Sequence, residues 1–111
     1  MAPNLRRRVD AGAGVVEIRV TGFIEDGARQ GARLLTGGTR ITEGVLGSGN
    51  FITPGVFSGV TDDMRIAREE IFGPVISALP FDTLDEAVRR GNDTPYGLAA
   101  GVFTRDVGKA H

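Results

Sequence analysis

The sequence predicts an α/β fold, and three observations carry that prediction. Val75-Ile76-Ser77-Ala78-Leu79-Pro80-Phe81 is a near-continuous apolar run, as expected of a strand buried on both faces. Behind it, Thr83-Leu84-Asp85-Glu86 is a T-x-x-E capping box, in which the threonine hydroxyl accepts from the Glu86 amide and the glutamate reaches back to the Thr83 amide, so a helix opens at Leu84. Residues 98–104 then form a second apolar run. Strand, helix and strand in that order imply a right-handed parallel crossover.

The elements follow in chain order. Residues 1–17 show no clear period and read as a poorly ordered start or a frayed helical extension. Gly12-Ala13-Gly14 lacks the third glycine and the preceding strand of a dinucleotide fingerprint, and Arg6-Arg7-Arg8 reads as a solvated terminus. From 18 to 30, Val20, Phe23, Ile24, Gly27 and Ala28 fall at helical spacing, with Arg19, Glu25, Asp26 and Arg29 opposite. Gly31 ends that helix, and 32–36 is a short strand closed by Gly37-Gly38. Residues 39–50 are turn-rich. Asn50-Phe51-Ile52-Thr53 and Val56-Phe57 resume an extended stretch, which Pro54 confines to an edge or a strand end. Residues 62–68 read as a short helix with Asp62 and Asp63 in its first turn, complementing the macrodipole. After Leu84 the third helix turns Leu84, Ala87 and Val88 inward and Arg89-Arg90 outward. It ends near Asn92, before Thr94-Pro95, and a last helix begins at 107.

Composition narrows the function. At 111 residues this is at most one small domain, able to bury about 60–70% of its extended-chain surface. The 17 glycines, about twice the usual ~7%, are spread without a repeat and mark tight turns rather than low complexity. With 13 basic and 14 acidic side chains the net charge is -1, which argues against a nucleic-acid or anionic-membrane partner. No run approaches the roughly 18 apolar residues of a membrane span, and no apolar segment follows the N-terminal arginines as a signal sequence would require. A cytoplasmic location is the expectation. Zero cysteines exclude disulfides, thiolate metal sites and a cysteine nucleophile on this chain. No ligand cluster has metal spacing, and His111, the single histidine, is too isolated for general-base work.

The chemistry concentrates at Glu69-Glu70-Ile71-Phe72-Gly73-Pro74-Val75. There the Gly-Pro pair stops a helix, because proline removes a donor and biases the preceding residue away from helical dihedrals. The result is a helix-to-strand corner bearing a carboxylate and an aromatic ring. Glu69 reads as an ion-pair partner of Arg65 or Arg68. Taken from its neighbours alone, Phe72 reads as a core residue beneath the strand at Val75.

Glu70-Ile71-Phe72-Gly73-Pro74-Val75 resembles the segment with which the aldehyde dehydrogenase superfamily holds the nicotinamide end of its cofactor. The blocks Phe23-Ile24-Glu25-Asp26-Gly27, Gly31-Ala32-Arg33-Leu34-Leu35-Thr36-Gly37-Gly38 and Asn92-Asp93-Thr94-Pro95-Tyr96-Gly97-Leu98-Ala99-Ala100-Gly101-Val102-Phe103 resemble their flanks in that family. The likeness covers residues 19–111, so 18–111 are expected to be part of a parallel-sheet catalytic domain. It implies NAD or NADP as cofactor and Glu70 and Phe72 as cofactor-binding residues. Glutamate suits the first role because its two acceptor oxygens match the spacing of a ribose diol; Phe72 would lie against the nicotinamide ring. In the family a cysteine thiolate attacks the aldehyde, hydride leaves for the nicotinamide, and a glutamate-activated water releases the acid. The cysteine, that glutamate, the oxyanion-hole asparagine and the phosphate-binding loop belong to motifs this chain does not carry, so no catalytic or metal residue is expected on it. An aldehyde substrate and a homo-oligomer are what the resemblance implies for the full-length enzyme. The alternative is a non-catalytic module that associates with another polypeptide.

Overall fold

A computed structural model describes the backbone of residues 3–111 and the side chains from residue 16 onward. The chain divides into two compact units, Met1–Pro80 and Phe81–His111. In the first, helix α1 (Pro3–Arg29) is followed by β1 (Arg33–Thr36), a 3-10 turn (Val45–Ser48), β2 (Gly55–Ser58), a one-turn helix α2 (Arg65–Arg68) and β3 (Val75–Ser77). The second holds α3 (Leu84–Asn92) and α4 (Val107–Ala110).

Helical spacing on α1 delivers the core. Val20, Phe23 and Ile24 lie on one stripe and are buried, Phe23 completely. One turn on, a Cβ built on Gly27 would meet Ile66 Cδ1 at 2.9 Å and Phe57 Cζ at 3.1 Å, so only glycine lets α1 lie this close to the sheet. Gly31 closes the helix at φ 104, in the left-handed region that glycine tolerates. Phe57, Val60, Met64, Ile66 and Ile71 complete the core from the sheet side. The helix expected over 18–30 is thus the C-terminal part of α1, which already runs from Pro3 and contains Gly12-Ala13-Gly14; the side chains of Arg6-Arg7-Arg8 lie outside the described ones.

The three strands run β1-β2-β3, with β1 antiparallel and β2 parallel to β3. Residue pairs Gly55–Val75 and Phe57–Ser77 set the parallel register. The sheet is therefore mixed within an α/β fold. Its parallel pair is joined through α2, one step earlier in the chain than the crossover expected around α3.

Three expectations about this architecture are corrected. Residues 98–104 form no strand, and Leu98 and Phe103 are fully exposed, because a strand exists only where a neighbour completes its hydrogen-bond ladder and no described strand adjoins it. β3 is three residues long rather than seven, with Ile76 64% exposed, since among the described strands only β2 pairs with it and no described side chain of its unit buries that face. Leu84 and Val88 of α3 are half exposed for the same lack of a covering layer, not turned into a core. A smaller shift concerns α2, which starts at Arg65 with no acid in its first turn; Asp63 sits before it and accepts from the Thr61 hydroxyl. That hydrogen bond holds the Asp63 carboxyl below the usual aspartate range.

Candidate functional site

The corner between α2 and β3 is built on α1. Arg65 anchors its helical side: the guanidinium reaches Asp26 at 2.7 Å and Glu69 at 3.1 Å, and stacks 4.0 Å from the Phe23 ring centroid. The Arg65–Glu69 pair is one of the two partnerships expected for Glu69. Gln30 adds a side-chain acceptor for the Arg65 amide at 3.0 Å. With Ile66 and Ile71 buried on either side, α2 and the chain leaving it have little freedom to shift.

Next, Arg19 of α1 donates from one terminal nitrogen to the Ile71 carbonyl and from the other to the Glu70 carbonyl. These carbonyls follow the end of α2, where backbone acceptors lose their helical partners. Gly73 then packs on α1: a Cβ there would fall 2.5 Å from Val20 Cγ2. The Gly55 amide donates to the Pro74 carbonyl at 2.8 Å, and β3 begins.

Between those two anchorages, Phe72 has φ 55 and is 80% exposed. It is the one non-glycine residue of positive φ among those described. Within this unit Phe72 is therefore not packed beneath β3. Glu70 is exposed two residues before it. Beside Phe72 lies a mainly apolar groove of about 390 Å³, walled by Val16 and Val20 of α1, Phe51 and Ile52 of the loop, and Gly73-Pro74. The loop is tied down by an Arg40–Glu17 ion pair at 2.6 Å and by antiparallel bonds between residues 38–41 and 51–53.

The structure thus brings Glu70 and Phe72 onto one pinned, solvent-facing corner. Periodicity places Arg19 on the outer face of its helix and reads Phe51 only as part of an extended stretch, so neither is expected at the site from sequence. No signal in the local sequence reports that Arg19 reaches carbonyls 51 and 52 positions away. Among the described residues no group of three acidic, histidine or cysteine side chains could hold a metal, and no helix is long and apolar enough to cross a membrane.

Comparison with known proteins gives the corner its context. The model of the aldehyde dehydrogenase family matches residues 10–111. The structure of HpcC from Thermus thermophilus superposes with TM-score 0.80 at 52% identity, over 86% of this chain and 19% of that one. An aldehyde dehydrogenase of Mycobacterium tuberculosis, solved with NAD+, gives 0.79 at 48% identity over 85% and 19%. The NAD-dependent aldehyde dehydrogenase of Sinorhizobium meliloti gives 0.79 at 47% over 86% and 18%. The chain spans about one fifth of the length of these solved enzymes, the 19% of the first being representative. A family match over nearly every residue, joined to agreement of fold at about half identity, is decisive: the chain belongs to the aldehyde dehydrogenase family.

Proposed function

We propose that this chain is the nicotinamide-side portion of an NAD-dependent aldehyde dehydrogenase, with Glu70 and Phe72 as its cofactor contacts. The observation that carries the reading is Phe72, an apolar ring held out in solvent at a left-handed φ that non-glycine residues rarely adopt. Backbone strain of this kind clusters at ligand-binding positions. The residues fit the group. Glu70 supplies two acceptor oxygens for a ribose diol, and Phe72 two residues away supplies a ring for the nicotinamide to lie on. When bound, NAD supplies the hydride acceptor; the chain's own part is to hold the ribose and orient the ring.

NAD is favoured over NADP because relatives at about half identity, such as the Mycobacterium tuberculosis enzyme, were solved with NAD+. In the whole enzyme the substrate is an aldehyde, oxidised to a carboxylic acid, the assembly is a homo-oligomer and the location is cytoplasmic. A second reading has its own support in the sequence: with no cysteine among 111 residues, the chain contributes no thiol nucleophile. On that reading it is a module that associates with another polypeptide and binds no cofactor itself.

Calorimetric titration of the purified chain with NAD separates the two. Saturable binding that Glu70→Gln weakens by roughly tenfold, about 1.4 kcal/mol for a lost charge-assisted hydrogen bond, supports the first. Both proteins should melt together by circular dichroism. A cooperative melt with no binding by the wild-type chain selects the second reading.

A further inference from the structure

We propose that Arg19 is a positioning residue for the Glu70–Phe72 corner, its guanidinium fork holding the two successive peptide planes that lead into Phe72, the second of which sets its φ. For its consequence in cofactor affinity this rests on the nicotinamide reading above; for the corner itself it rests on geometry alone. The Ile71 carbonyl belongs to the peptide plane whose other end is the Phe72 amide. Holding that oxygen fixes the plane from which φ of Phe72 is set. The Glu70 carbonyl belongs to the plane before, so one side chain grips the chain on both sides of Ile71.

Arginine is suited to this and lysine is not. Its planar guanidinium presents donors in a fixed fork, so two acceptors at different directions are served by one rigid group, whereas an ammonium is a point charge on a flexible stem. Arg19 is itself steadied by the Phe23 ring, 4.9 Å from its guanidinium carbon, and Phe23 is wholly buried. The residue after Arg19 finishes the clamp, since Val20 receives Gly73 with no room for a Cβ. Consecutive residues of α1 therefore hold the chain before and after Phe72. Left-handed Phe72 persists because its surroundings over-determine it.

The test is backbone NMR on the full 111-residue chain, comparing wild type, Arg19→Lys and Arg19→Met, with NAD titrations alongside. Wild-type Phe72 should carry the carbon shifts and amide coupling of a positive φ. In Arg19→Met that signature should be lost while resonances of Phe57 and Val60 in the core stay in place. Arg19→Lys should retain the core and still fail to restore the signature. If only a tenth of molecules then keep the binding arrangement, the NAD dissociation constant rises roughly tenfold. A Phe72 signature unchanged in Arg19→Met overturns the proposal. Should Arg19→Met unfold, Arg19→Lys decides: an intact signature there overturns it and a lost one supports it. Failure of the cofactor reading looks different, because the wild-type chain would bind no NAD while the Phe72 signature still responded to Arg19.

Discussion

At Phe72, conformation and exposure pull against stability. A non-glycine residue in the left-handed region costs about 1–2 kcal/mol relative to its preferred backbone, and a ring 80% exposed recovers little of that through burial. Phe72→Gly removes the steric cost and raises unfolded-chain entropy, so the melt should shift only slightly, within about 1 kcal/mol either way. NAD affinity should fall sharply in the same protein. A large loss of stability in Phe72→Gly would show that the ring packs, contrary to its exposure. Gly73 behaves oppositely, for Gly73→Ala must displace Val20 or the corner and should cost roughly 1–3 kcal/mol by overpacking. The corner that bears Glu70 and Phe72 is legible in the sequence because the Gly73-Pro74 break marks it locally. Arg19 and Val20 are not, since what makes them matter is contact with a segment about fifty positions away.

Among the elements, α3 shows what local chemistry alone can specify. Its expected N-cap is present: the Thr83 hydroxyl accepts from the Glu86 amide at 3.1 Å, and the helix ends at Asn92 as read from the sequence. The carboxylate differs by one residue, taking the Asp82 amide at 3.0 Å as its main donor, with Arg90 Nη1 3.0 Å away. Chiefly through the Asp82 amide, the Glu86 carboxyl is held below its ordinary value of 4.5. A depressed folded-state value means that this contribution to helix stability is present above the ordinary value and is lost as pH falls through the folded one. The Asp82 amide resonance should therefore titrate with a midpoint below 4.5. Thr83→Ala should weaken α3 by about 1 kcal/mol, read as faster amide exchange in its first turn. Caps and breaks such as Thr83 and Gly31 are short-range, which is why helix ends are readable. Strands at 75–81 and 98–104 are not, because their length depends on neighbours the local sequence does not name.

At the scale of the molecule, the two units differ in what they bury. Met1–Pro80 encloses a core around Phe23 and Phe57, both wholly buried. Phe81–His111 encloses none: Leu98, Val102, Phe103 and Val107 are all more than half exposed, and α3 has only nine residues. An isolated helix shorter than about 12 residues is marginal in water. Amides that open locally exchange quickly, so hydrogen exchange should resolve the chain into a protected Gly55–Ser58 strand and a 98–104 segment exchanging near the unprotected rate. Leu98→Ser combined with Phe103→Ser should leave the cooperative melt of the first unit unmoved, because neither residue belongs to its core. The same pair should reduce binding of a hydrophobic dye, since it removes two fully exposed apolar side chains. Protection of 98–104 that grows with protein concentration would mean instead that this segment finds its missing ladder in a second copy of the chain.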